Sequence, residues 1–168
     1  LSPSPLQFNF YALGVAITCL LSTLVGFLIY IYRKAPESPA HRMWGTLTFF
    51  IAGWSFFLVI NFLLVDKAPA LLFSRMSNAF ALFIPVTFTH FTMHYTKRFN
   101  YTILKTAYCI ALLVAGTSWT SFLVADVSKQ FGVWYEVSGP GMTISFALFI
   151  LLPASGISLL VKTRTTVT

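Results

Sequence analysis

Residues 10–32 read FYALGVAITCLLSTLVGFLIYIY, with no Asp, Glu, Lys or Arg among them. At about 1.5 Å per residue, a helix of that length crosses the ~30 Å hydrocarbon core of a bilayer. Four further stretches, 43–65, 76–95, 106–125 and 142–161, are equally free of charge. All 11 Lys/Arg and all 4 Asp/Glu residues lie between or beyond the five. Charge at the bilayer centre is costly, so segregation repeated five times marks a chain whose solvent is lipid. The sequence predicts an all-α fold, a polytopic bundle of five transmembrane helices.

The 168 residues are 57% apolar and 9% charged, and five spans leave no length for a separate soluble domain, so residues 1–168 read as one membrane domain. The net charge of +7 does not indicate nucleic acid, whose binders gather basic residues on one face. Here the basic residues bracket the spans. Arg33, Lys34, Arg42, Lys97, Arg98, Lys105, Lys162 and Arg164 fall on one side. Lys67, Arg75 and Lys129 fall on the other, with Asp66, Asp126 and Glu136. The positive-inside rule then places the N-terminus outside and the C-terminus in the cytoplasm. Span one lacks a basic n-region and is too long for a signal-peptide core. Leu1 and the Thr-rich 163–168 read as the cut ends of a longer protein.

Within the spans, Gly14, Thr18, Ser22 and Gly26 form a four-residue row of small side chains, a packing seam against another helix of this chain or of a second subunit. Pro85 and Pro153 each remove a backbone hydrogen bond near mid-span. They free the carbonyls of Ala81 and Phe149 and favour kinks, which serve architecture or hinging. Tyr30, Tyr32, Trp44, Tyr95, Tyr101 and Tyr108 suit one membrane boundary and Trp119 the other. Mid-span Trp54 needs a partner for its indole N–H inside the bundle. Cys19 and Cys109 differ in depth by about 14 Å, too far for a disulfide.

Two groups of residues could carry chemistry. Thr87, His90 and His94 share one face of span three. The two histidines could ligate a metal, but a site needs more ligands than the sequence offers at that depth, so no metal is expected. Hydrogen bonding within the bundle, pH sensing or ligand contact are the remaining roles. Towards the other boundary, Asn61, Ser77, Asn78, Trp134, Tyr135 and Glu136 could line a cavity for a small amphiphile. The competing reading is a set of helix caps and interface anchors. Nothing resembles a catalytic triad, a phosphate loop or paired intramembrane carboxylates. No catalytic residue and no cofactor is expected in this segment.

The run SRMSNAFALFIPVTFTHFTMHYTKR (74–98), with Gly139-Pro140-Gly141 after Trp134-Tyr135 and the Arg42-Met43-Trp44…Trp54 layout of span two, resembles the seven-span sensor region at the N-terminus of many bacterial histidine kinases. The resemblance covers residues 10–162, five of the family's seven helices, and departs from it where Gly141 is followed by Met142 rather than an aromatic residue. It implies a multi-pass inner-membrane receptor relaying a ligand or membrane signal to a cytoplasmic kinase or cyclase, and a homodimer through the parent protein. The expected partners are therefore membrane lipid and a small amphiphilic ligand, not nucleic acid. A small transporter or permease subunit is the alternative, since transporters also use broken helices. A scaffold built on the Gly14–Gly26 row is a third.

Overall fold

The structure, a computed structural model, describes residues 10–31 and 39–164, with Tyr30 and Arg164 as backbone only. The expected roles of the Tyr30 side chain, Tyr32, Arg33, Lys34 and the tail beyond Arg164 lie outside the described residues.

Helix α1 (Phe10–Ile31) turns only a narrow face towards α2 (Pro39–Leu63). Ala12 is buried, whereas Leu20, Leu24 and Phe27 are 70%, 52% and 58% exposed. That is the reverse of a water-soluble helix and requires an apolar solvent. The row of small residues divides along this helix. A Cβ at Gly26 would crowd Thr48 of α2, but one at Gly14 would meet nothing. Thr18 is exposed and hydrogen bonds back to Gly14 O, so within this row close packing is confined to the Ser22–Gly26 end. Helix α2 starts on a proline, whose missing N–H costs nothing at a first helical position.

Helices α3 (Lys67–Ala81) and α4 (Phe83–Thr96) form one rod of 30 residues, about 45 Å long, interrupted at Leu82. The break sits where Pro85 withholds an N–H from Ala81 O. The sequence predicted this span to begin at 76, but the helix begins nine residues earlier. Lys67 and Arg75 end an apolar run without ending a helix, so the rod projects beyond the length a bilayer needs. Helix α4 closes at Lys97, in the left-handed region (φ 55°), with its N–H on His94 O.

The fourth expected span differs most. Helix α5 (Tyr101–Gly116) is capped by Asn100, whose side chain accepts from Ile103 N at 3.1 Å. It has only 16 residues, about 24 Å, and does not run to 125. After Gly116 the hydroxyls of Thr117 and Thr120 turn back onto Val114 O and Thr117 O, both at 2.7 Å. Residues 117–123 are turns, followed by an antiparallel hairpin, β1 (Val124–Gln130) and β2 (Val133–Ser138), where the sequence predicted a plain loop. Phe131 and Gly132 form its two-residue turn, both with positive φ (51° and 82°). Helix α6 (Met142–Arg164) is continuous across Pro153.

Among the described residues four helical segments, 10–29, 39–63, 67–96 and 142–163, are long and apolar enough to cross a membrane, and α5 is a shorter apolar helix. The fold is therefore a helical membrane domain carrying one small hairpin. Its core joins Leu82 and Val86 of the rod, Ala107, Ala111 and Val114 of α5, Leu123, Val124 and Val127, and Leu148 and Leu152 of α6. Helix α6 lies close against α4. Thr89 Oγ1 is 2.9 Å from both Pro85 O and Leu152 O, and a Cβ at Gly156 would crowd Thr92.

Candidate functional site

The hairpin is fastened across one end of the bundle by side chains from α2 and α3. Arg75 donates from Nη1 to Trp119 O at 3.0 Å and from Nη2 to Val124 O at 3.2 Å. The indole N–H of Trp134 donates to Leu64 O at 3.0 Å, at the end of α2. Asn61 Nδ2 donates to Trp134 O at 3.3 Å, and Asn78 Nδ2 to Glu136 Oε1 at 2.6 Å. A half-exposed ion pair, Lys67 Nζ to Asp126 Oδ2 at 2.6 Å, adds an outer contact worth little by itself.

Fixed this way, β2 roofs a cavity of about 750 Å³, within the range of small-ligand sites. One wall is a single face of α2 (Ile51, Trp54, Leu58, Asn61, Phe62). The floor is Asn78, Ala81 and Ile84 of the rod. The second wall is Met142, Ser145, Phe146 and Phe149 of α6, and the roof is Trp134, Tyr135, Glu136 and Ser138. Polar groups gather under the roof and apolar ones fill the deeper part.

Asn61, Asn78, Trp134, Tyr135 and Glu136, which the sequence grouped as one candidate site, line this cavity together. Ser77 lies beside it, buried, its hydroxyl on Trp54 O at 3.3 Å. Thr87 and His90 are elsewhere. Thr87 is buried and bonds to Phe83 O and Ile84 O of its own helix. His90 stands at the opposite end, with Nδ1 3.0 Å from the Tyr108 hydroxyl of α5 and Nε2 3.2 Å from His94 Nε2. Among the described residues no group of three or more His, Cys, Asp or Glu could hold a metal. Cys19 and Cys109 are free.

Sequence reasoning missed Arg75 and Ser74. Arg75 reads as one more loop charge, yet it is the side chain that reaches both carbonyls of the segment leading into the hairpin. Ser74 is fully buried, 3.3 Å from Asn61 Nδ2. The only available hint was a basic residue placed next to a small one at the start of an apolar run. Gly139 and Gly141 complete the fastening, their N–H groups donating to Leu123 O and Phe122 O at 2.7 Å.

Two features of the cavity are chemically unusual. Asn61 is 0% exposed and its Oδ1 has no hydrogen-bond partner among the described residues. A buried acceptor left in this state costs about 1–3 kcal/mol. Glu136 keeps partial exposure as a residue, but its carboxyl is set into the wall beside Ser74 and Asn78. Burial there pushes the carboxyl above its ordinary value of 4.5, and the hydrogen bonds from Asn78 and Ser74 pull the other way without cancelling the rise.

A carboxyl that holds its proton more tightly folded than unfolded favours folding as pH falls. The docked hairpin is therefore expected to gain stability as pH drops from above Glu136's folded value towards 4.5, and to lose it as pH rises through that window. Asp126 acts in a lower window. The hydrogen bond from Lys67, then that from Val127 N–H, hold it below its ordinary 3.8, so its stabilisation is lost only as pH falls through that lower range. Thermal unfolding followed from about pH 5 to about pH 8 should show the first slope, and Glu136→Gln should flatten it. Equal slopes in both proteins would place the titrating group elsewhere.

The model of one protein family, described as the N-terminal 7TM region of histidine kinase, matches residues 14–167. No curated protein and no solved structure matches the chain.

Proposed function

Because the chain belongs to the family of N-terminal seven-transmembrane regions of histidine kinases, we propose that it is the signal-input domain of a bacterial inner-membrane receptor, with the roofed cavity as its input site. The family's region is a non-catalytic input domain, and the chain is a multi-pass membrane protein. In the proposed arrangement the hairpin faces outside, α6 leaves the membrane on the cytoplasmic side, and a kinase or related output follows, working as a homodimer in the parent protein. The observation that carries it is the convergence of α2, the α3–α4 rod, α6 and the hairpin on one cavity.

An occupant touching all four elements biases their arrangement only through a difference in affinity between two states. Helix α6 can respond because Pro153 leaves one of its backbone hydrogen bonds unmade, which lowers the cost of bending there. From that point α6 runs on to Lys162, where the basic residues of the positive-inside reading gather.

In the full-length protein, Trp134→Ala and Asn61→Ala are each expected to cut the ligand-dependent output by about tenfold or more at unchanged membrane expression. A cysteine at Phe131, at the hairpin tip, should be labelled by an impermeant maleimide in intact cells, and one at Lys162 only after permeabilisation. Normal output from both cavity variants would remove the input site, and the reverse labelling pattern would invert the orientation.

A further inference from the structure

The cavity's polarity specifies the kind of molecule it takes. Two side-chain groups that can accept belong to residues lining this one cavity, Asn61 Oδ1 and the Glu136 carboxyl. The orientation of Asn61 is settled chemically. Trp134 O can only accept, so the atom 3.3 Å from it is the amide nitrogen and the oxygen is the free end. Asn78 Nδ2 is already committed to Glu136 and to Ser74 O, and the Ser74 hydroxyl, which accepts from Asn61 Nδ2, hydrogen bonds to Glu136. Nothing nearby among the described residues supplies the donor that Asn61 Oδ1 lacks.

We infer that the site takes an amphiphile whose head donates hydrogen bonds, a hydroxyl or an amine, and whose apolar body lies along α2. The head meets Asn61 Oδ1 and Glu136, and the body follows the face through Leu58 towards Ile51, about 15 Å of helix. This deepens the input-site reading and rests on it. A fatty carboxylate is disfavoured, because an ionised carboxyl head only accepts hydrogen bonds and brings Asn61 Oδ1 no donor. An apolar helix could cover the walls, but its N–H groups are bonded within the helix and bring Asn61 no donor. On the α6 wall Phe146 and Phe149 are 60% and 38% exposed, which leaves the cavity an apolar approach past that helix.

Photoaffinity competition on the full-length parent protein in nanodiscs tests this, with a diazirine-bearing decanol as probe. Decanol and decylamine should each displace the label from peptides covering 51–62 and 134–149 at about tenfold lower concentration than methyl decanoate, a competitor of similar length that can only accept. Asn61→Leu should reduce decanol to the level of methyl decanoate. Because that variant could weaken the hairpin, the competitor series on the unaltered protein is the decisive comparison. Parity of alcohol and amine assigns recognition mainly to Asn61, and a strong preference for the amine assigns it to Glu136. Methyl decanoate or decanoate competing as well as decanol overturns the inference, as does the absence of saturable labelling in these peptides. Donor-selective binding with no change in output would leave the chemistry standing and remove the input role. Output lost in Trp134→Ala without donor selectivity would do the reverse.

Discussion

Gly139→Ala is expected to release the hairpin from the bundle. Gly139 donates its N–H to Leu123 O at 2.7 Å, which brings the two backbones together. A Cβ on this residue would lie inside contact distance of the carbonyl oxygens of both Ser121 and Phe122. These are backbone atoms, and they cannot swing aside as a flexible side chain would. Relief requires the 117–123 turn or the start of α6 to move, so the upper part of the about 1–3 kcal/mol range for overpacking applies. The loss should appear as a lower unfolding temperature and as faster tryptic cleavage at Lys129. Gly14→Ala is the control, since its Cβ meets nothing within 4 Å. A Gly139→Ala protein as resistant as Gly14→Ala would mean that the 139–141 approach is looser than described.

Arg75→Met carries the second large effect. The guanidinium joins Trp119 O and Val124 O, so one side chain of α3 holds both ends of the segment that enters the hairpin. Hydrogen bonds to a charged donor contribute about 1.5–3 kcal/mol each when well buried. This group is only half-buried, and solvent reduces the total to about 2 kcal/mol. Methionine keeps the apolar stem and removes all three bonds, the third being the longer one from Nε to Val124 O at 3.4 Å. Arg75→Lys should recover no more than half of the loss, because an ammonium lacks the planar fork that reaches two carbonyls. Proteolysis at Lys129 and thermal unfolding again provide the measurement. Full rescue by lysine would show that charge at this position matters and geometry does not.

Hydropathy located the apolar centres of α1, α2, the rod and α6 because charge is excluded from a bilayer core whatever the packing. It misjudged the ends for a related reason. Lys67 and Arg75 leave the lipid without leaving the helix, so α3 begins well before its apolar run. Thr117 and Ser118 carry no charge yet stop α5, because the Thr117 hydroxyl and both N–H groups turn back onto Val114 O and Ala115 O, among the last carbonyls of the helix. The hairpin escaped notice because its turn is Phe131-Gly132 and not a pair suited to positive φ such as Asn-Gly. Asn61, Asn78, Trp134, Tyr135 and Glu136 could be grouped in advance, since polar and aromatic residues at one boundary of a small bundle have few neighbours but each other. Thr87 and His90 already separate from that group in the sequence, because His90 lies about 18 Å along the rod from Asn78.

The interruption at Leu82 divides the rod into arms of 15 and 14 residues. Pro85 leaves one fewer hydrogen bond to break at that joint, so a change of angle between the two arms costs less there than elsewhere along the rod, and each arm keeps its own length and register as the angle changes.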